Sequence, residues 1–331
     1  MATMKEVAKR AGVSVATVSY VLNDTRKMHP ETEKRVLSAA KELGYSPNAA
    51  ARNLVSGRSS LLGLIVPDIG NPFFPEITKA FQEAARLFGL ETIVMNTNYD
   101  SQRTRDTVHR LVSLQVPGAA FLTSQVDPAI RQALSAKGIC AVYLEHGVSG
   151  PHASNIAIDY RRGIESAVTH LFDLGHRRIG SIGGPANGSS AHRRKAAFLD
   201  SVAARAIEAR VVDSDFSVQG GYFSCSKLLN DFPATAVMAA NDLMAIGALH
   251  SAYDRKMRVP AELSIIGFDD ITFAQFTQPA LTTVGVSREE VGRLTFQALW
   301  ALVSDSNRDG VEYDVRTRLV IRQTTAPPRA H

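Results

Sequence analysis

The chain is poor in the residues that mark secreted, stapled or metal-bearing proteins. Its 331 residues include two cysteines, Cys140 and Cys225. Two cannot frame a disulfide scaffold or a zinc site, and their scarcity fits a reducing cytosol. The nine histidines are scattered, without the spacing of metal ligands. Long apolar runs are missing too. The longest, such as residues 61–67, fall far short of the roughly 20 residues that cross a bilayer. The opening MATMKEVAKRAG has no apolar signal core. From these absences we expect a cytoplasmic chain, neither exported nor membrane-embedded. Catalytic signatures are also lacking. GGPANGSS sets Gly183 and Gly188 at phosphate-loop spacing, but Ser189 stands where such a loop needs lysine. There is no nucleophile elbow, and nothing pairs carboxylates for acid–base work. We therefore expect no enzyme, no cofactor and no metal.

What is present is unevenly placed. Residues 1–60 hold ten Lys and Arg against five Asp and Glu, and this surplus of five equals the formal +5 of the whole chain. The remainder is neutral. A small basic head on a neutral body is the electrostatic footprint of a module that binds nucleic acid, although a solvated basic face would look the same by charge alone.

The head reads as three short helices. Thr3 and Glu6 have capping-box spacing and start the first, which stops near Gly12. Ser14 suits the cap of a second, from Val15 to about Leu22. Pro30 suits the first position of a third and Gly44 its end, with Val36, Ala40 and Leu43 as an apolar stripe. In VAKRAGVSVATVSYVLN, Ala8, Gly12, Val18 and Val21 occupy the places where a helix-turn-helix needs small, turn and core residues. The second helix then presents Val15, Ala16, Thr17, Ser19, Tyr20 and Asn23 on its free face. Placed in a major groove, Val15 and Ala16 could touch thymine methyls. Thr17, Ser19 and Asn23 could bind phosphate oxygens, and Tyr20 could reach a base edge or a phosphate.

SPNAAARNLVSGRSS follows and reads as a hinge, with Pro47 limiting the backbone and residues 56–60 a flexible linker. Beyond it, short β-rich runs alternate with helical stretches. LLGLIVP, ETIVMN, GAAFLT and CAVYLE form one set. NIAID opens a second that continues through RIGSIGG, residues 210–212, TAVMAAN and LSIIGFDD. The helices expected between them lie near residues 76–88, 102–114, 128–136, 163–174, 192–206 and 243–254. Asp242 is expected to cap the last. Such alternation implies parallel sheets with helices on both faces, here as two lobes, with ligand binding outside the carboxyl ends of the strands.

KEVAKRAGVSVATVSYVLN, LGYSPNAAARNL, LIVPDIGNPFF, HRRIGSIGGP, AANDLMAIGAL and SIIGFDDI together resemble, in order and over essentially the whole chain, the lactose- and galactose-repressor family of bacterial regulators. The resemblance implies an all-α helix-turn-helix head (1–45), a hinge helix and linker (46–60), and an α/β body (61–331). That body would be two doubly wound parallel-sheet lobes resembling periplasmic sugar-binding proteins. It implies a homodimer on palindromic double-stranded operator DNA, controlled by a small-molecule effector of carbohydrate type. Leu54 matches a leucine that wedges into the minor groove, with Ala51 and Arg52 beside it. Asn71, Phe73, Phe74 and Glu145 match effector contacts in the first lobe, and Arg194, Phe216, Asn241 and Asp269 those in the second. Two positions depart from the common pattern. Tyr20 stands where many members have arginine, and Glu145 where many have aspartate. The last strand-like run, 318–321, is followed by RQTTAPPRAH without heptads, so a dimer rather than a tetramer is expected.

Overall fold

The computed structural model describes residues 2–22, 26–45, 59–123, 126–147, 149–186, 188–305 and 307–329. The chain divides into two compact units, Met1–Ser59 and Ser60–His331.

The first unit holds α1 (Met4–Ala11), α2 (Val15–Leu22) and α3 (Pro30–Glu42). Thr3 and Glu6 close the capping box, and Gly12 ends α1 in the left-handed region at φ 65°. Ser14 Oγ accepts the Thr17 backbone N–H at 3.1 Å, capping α2. Val7, Ala8, Ala11, Val18, Val36, Ala39 and Ala40 form the core. Leu43 departs from the expected stripe. It is exposed, because α3 ends at Glu42 and Leu43 falls on the cap.

The second unit is two six-stranded sheets, each flanked by helices. In chain order they are β1 (Leu61–Val66), α4 (Phe73–Arg86), β2 (Glu91–Asn96), α5 (Ser101–Ser113), β3 (Gly118–Phe121), α6 (Pro128–Ala136), β4 (Cys140–Leu144) and β5 (Ala153–Ile158). Next come α7 (Tyr160–Asp173), β6 (Arg178–Gly183), α8 (Ser189–Ala203), β7 (Glu208–Asp213), α9 (Val218–Asp231), β8 (Ala236–Ala239), α10 (Asp242–Asp254) and β9 (Ser264–Asp269). A 3₁₀ turn (Thr272–Phe276), β10 (Thr282–Val286), α11 (Arg288–Ser304), β11 (Glu312–Val315) and β12 (Thr317–Val320) complete the chain. The sheet orders are β11-β5-β4-β3-β1-β2 and β12-β10-β9-β8-β6-β7. Pairing is parallel throughout except β10 with β12. Leu62, Leu64, Ile65 and Val66 of β1 are all buried, as expected of a strand covered on both faces.

NIAID does not open the second lobe. It is β5, paired with β4 in the first sheet, and the lobe changes only after Ile158. The chain returns to the first lobe between β10 and α11, which packs on α4, and leaves it again between β11 and β12. Three adjacent crossings therefore join the lobes. In each sheet the strand order reverses beside the first strand of the lobe, β1 or β6, and this is where an open α/β sheet leaves a crevice at its carboxyl ends. The close pair α9 and α10 depends on glycine: a Cβ on Gly221 would meet the Met244 backbone at 2.3 Å.

Candidate functional sites

The face of α2 away from the head core carries Val15, Ala16 and Tyr20 exposed, with Thr17 and Ser19 half-buried. Val18 is fully buried and anchors the helix from behind. Thr17 is partly engaged, its hydroxyl 2.9 Å from Ser14 Oγ. Arg10 pairs with Glu42 at 2.6 Å, tying α1 to α3. This pair is exposed on both sides and adds little stability. Asn23, Ala51, Arg52 and Leu54 lie outside the described residues.

Asn71, Phe73, Phe74, Glu145, Arg194, Phe216, Asn241 and Asp269 all line one cavity of about 70 Å³ between the two lobes of the body. Each lies at or just after the carboxyl end of a strand or in the first two turns of the helix that follows, so the sheet topology converges them. Tyr99, Tyr160, Ser189 and Ser190 line it as well and were not anticipated from the sequence. A run such as IDYRRG gives a tyrosine no signal beyond a helix start.

Several of these groups sit in costly conformations. Tyr99 (φ 56°), Glu145 (φ 71°), Phe216 (φ 68°) and Asp269 (φ 108°) have left-handed backbones that side-chain-bearing residues seldom adopt. Asn241, rather than Asp242, caps α10. Its Oδ1 accepts the Met244 N–H and its Nδ2 donates to the Phe216 carbonyl, both at 2.9 Å. The amide thus fixes the aromatic wall and keeps one N–H and one lone pair for the cavity. Asp242 is instead a buried pin. Its Oδ2 accepts the Ile271 N–H at 2.8 Å and its Oδ1 the Thr283 hydroxyl at 2.5 Å, which fixes the turn after Asp269. Asn71 accepts the Phe73 N–H at 3.1 Å, which directs the chain into α4. Phe73 and Phe74 meet edge to face at 5.3 Å and belong both to the core and to the cavity wall.

Arg194 is the electrostatic centre. Its guanidinium packs against the neighbouring rings of Tyr160 and Phe268, 4.6 and 4.5 Å from their centroids. Nη1 donates to the Ala240 carbonyl at 2.5 Å, and Nη2 is 3.6 Å from Asp269 Oδ1. Glu145 accepts the Ile158 N–H and pairs with Arg193 at 2.5 Å. Among the described residues, Arg194 Nε and Asp269 Oδ1 are buried without a hydrogen-bond partner. Glu145 Oε2 is a third such atom; buried polar atoms are ordinarily satisfied, and three such orphans on residues lining one cavity mark a place for a polar ligand. A further link joins the lobes outside the cavity. Glu76 of α4 accepts the Thr272 hydroxyl of the second lobe at 2.9 Å and pairs with Arg288 at 2.6 Å. Arg288 also donates to the Asp269 carbonyl at 2.6 Å.

Burial pushes the Asp269 carboxyl up to about 7, against the pull of Arg194 and Arg288, and burial likewise raises Glu145. The sign for stability follows. A carboxyl raised in the folded state is neutral in both states below its unfolded value of about 4. As pH climbs toward 7 the unfolded state ionises first, so the folded state loses ground. In thermal melts, the stability of the parent relative to Asp269→Asn is therefore expected to fall from pH 5 to pH 8. A constant difference across that range would refute the raised carboxyl.

Among the described residues, no helix is long and apolar enough to cross a membrane, and no cluster of His, Cys, Asp or Glu could hold a metal. A helix-turn-helix head joined to a two-lobed body with a cleft of aromatic, amide, carboxylate and guanidinium groups is the build of a ligand-responsive DNA-binding regulator. Residues 3–48 match the model of bacterial regulatory proteins of the lacI family, and residues 168–325 that of the periplasmic binding protein-like domain. The chain is 33% identical over 326 residues to the ribose operon repressor of Halalkalibacterium halodurans, covering 98% of this chain and 97% of that one. It is 33% identical over 332 residues to the transcriptional repressor PurR of Proteus mirabilis, with 98% and 97% coverage. Its structure is similar to that of the lac repressor dimer bound to operator and the anti-inducer ONPF, with a TM-score of 0.87 and 27% identity over 98% of this chain and 99% of that one. The chain belongs to the lacI family of bacterial transcription regulators.

Proposed function

We propose that this regulator is a cytoplasmic, non-enzymatic repressor. In this reading it binds a two-fold-symmetric operator as a homodimer and releases it when an uncharged carbohydrate enters the cleft between its lobes. The single observation that carries the effector reading is the cavity itself. Arg194, Asp269 and Glu145, each with a buried polar atom that lacks a hydrogen-bond partner, line a space walled by Phe73, Phe74 and Phe216. Aromatic faces suit the apolar side of a sugar ring, and the amide, carboxylate and guanidinium suit its hydroxyls. The name of the ribose operon repressor is in keeping with a sugar. The DNA reading rests on the free face of α2, Val15, Ala16, Thr17, Ser19 and Tyr20, together with Asn23, the next residue in the sequence. The domain plan that goes with it is 1–45 for the head, 46–60 for the hinge and 61–331 for the effector and dimerisation body. The test is to select an operator from a random duplex pool, then measure whether sugars weaken its binding.

Two further outcomes are expected. Reading both halves of a palindrome requires two heads, so sedimentation should find a dimer at micromolar concentration, and a monomer bound singly to a half-site would contradict this. Leu54→Ala should weaken operator binding by at least tenfold and reduce the bend in the duplex, while leaving effector affinity unchanged. The reason is that an apolar wedge offsets the cost of unstacking with extra groove contacts. Unaltered affinity and bend would remove Leu54 from the interface.

A further inference from the structure

Tyr160 stands first in α7, at one of the three crossings between the lobes. The Asp159 side chain caps this helix, accepting the Arg162 N–H at 3.1 Å, so the backbone under Tyr160 is pinned. The ring is 5% exposed and cannot swing aside easily. Arg194 covers one part of it at 4.6 Å, and the Phe268 ring lies 5.6 Å away. Arg194 of the second lobe and Glu145 of the first line the cavity beside it. The phenol therefore forms a fixed boundary of a cavity of only about 70 Å³, room for about five waters at the roughly 10–15 Å³ that each requires. The charged groups around the cavity are already matched. Asp269 faces Arg194, and Glu145 faces Arg193. A ligand bearing a full negative charge would find no surplus cation in these two pairs to meet it.

We propose that Tyr160 is a specificity-determining residue: its ring closes the cleft to all but a compact, uncharged, single-ring ligand, and its hydroxyl adds a polar contact for that ligand. This inference rests on the reading of the cavity as the effector site. Removing the phenol would add a space comparable to the cavity itself, so Tyr160→Ala should admit two-ring ligands. Tyr160→Phe keeps the ring and should keep the size limit while weakening hydroxyl-rich ligands.

The experiment is a thermal-shift screen of the full chain and both variants. The probes are the common aldopentoses and aldohexoses, their phosphate esters, purine and pyrimidine bases, and the disaccharides maltose and cellobiose. Ligands of the folded state raise its melting temperature. The parent is expected to respond to one or more neutral single-ring probes and to none of the phosphates or disaccharides. Tyr160→Ala is expected to gain a disaccharide response and lose at least tenfold in affinity for the single-ring ligand. Tyr160→Phe should show no disaccharide response. A parent that binds disaccharides, the two-ring purines or phosphate esters equally well overturns the proposal. So does a Tyr160→Ala profile like the parent's, or a Tyr160→Phe variant that admits disaccharides; the last arm stands even if the alanine variant does not fold. Arg194→Ala separates the two levels. If it leaves every shift in place, the effector site is elsewhere; if it abolishes them while Tyr160→Ala keeps the parent's selectivity, only the role of Tyr160 fails. No shift with any probe overturns both.

Discussion

Removing residues 1–60 is expected to abolish sequence-specific duplex binding while leaving the body folded and able to bind its effector. The physical reason is where the charge lies. The head and linker carry a formal surplus of five positive charges, and the rest of the chain is neutral. Binding to a duplex is driven in large part by release of condensed counterions as Lys and Arg neutralise phosphates. About 6–10 such contacts make affinity fall roughly 10³–10⁵-fold between 50 and 200 mM salt. A dimer with two heads commands that many contacts, whereas a neutral body has no comparable source. The body is a compact unit from Ser60 onward with its own core, so it is expected to fold without the head. Gel-shift titrations over a salt series measure this directly. The full chain should show a steep salt slope on its selected operator, and the truncated chain no specific complex at any salt. Specific binding retained by the truncated body would falsify the assignment of DNA reading to the head.

Much of this plan is legible in the sequence because it rests on local signals. Thr3, Glu6, Gly12, Ser14 and Pro30 are capping and turn chemistry, and they place α1, α2 and α3 where the structure has them. β2 and α6 start and end where the runs ETIVMN and PAIRQALSA do. Elements failed to show where the signal is non-local. α9 contains Gly220 and Gly221, which weaken its helix pattern, yet Gly221 is what lets α9 approach α10. The assignment of β5 to the first sheet is a matter of pairing rather than composition, and no alternation of strand and helix reports which lobe a strand joins. Asp242 reads as a cap beside Asn241, and only the buried Thr283 and Ile271 partners reveal it as a pin. For the cleft, eight positions were named through resemblance and one cavity gathers them. Tyr99 and Tyr160 escaped because their role depends on what stands opposite, in strands far away in the chain.

Asp269→Asn and Arg194→Ala are expected to abolish the response of operator binding to the effector. A ligand can shift the balance between two lobe arrangements only by binding one of them better. The cleft offers that difference: Asn71, Phe73, Phe74 and Glu145 belong to the first lobe, and Arg194, Phe216, Asn241 and Asp269 to the second. A ligand that touches both sets favours the closed arrangement. Asp269 also connects to the first lobe through its backbone, since Arg288 holds its carbonyl and pairs with Glu76, which in turn binds Thr272. A shift of Asp269 toward a ligand is therefore expected to reach the first lobe through these contacts. Couplings of this kind typically change affinity about 5–150-fold, and loss of the carboxylate or the guanidinium should bring that factor to about one. Arg194→Ala also removes the cation beside Asp269, whose carboxyl, already raised by burial, then rises further and is expected to stay protonated. Asp269→Asn keeps the shape and is the gentler variant for the comparison. Operator titrations with and without effector give the factor in one direction, and effector titrations with and without operator must give the same factor in the other. Variants that keep the parent's factor in both directions would move the effector site out of this cleft, with the DNA-reading head untouched by the result.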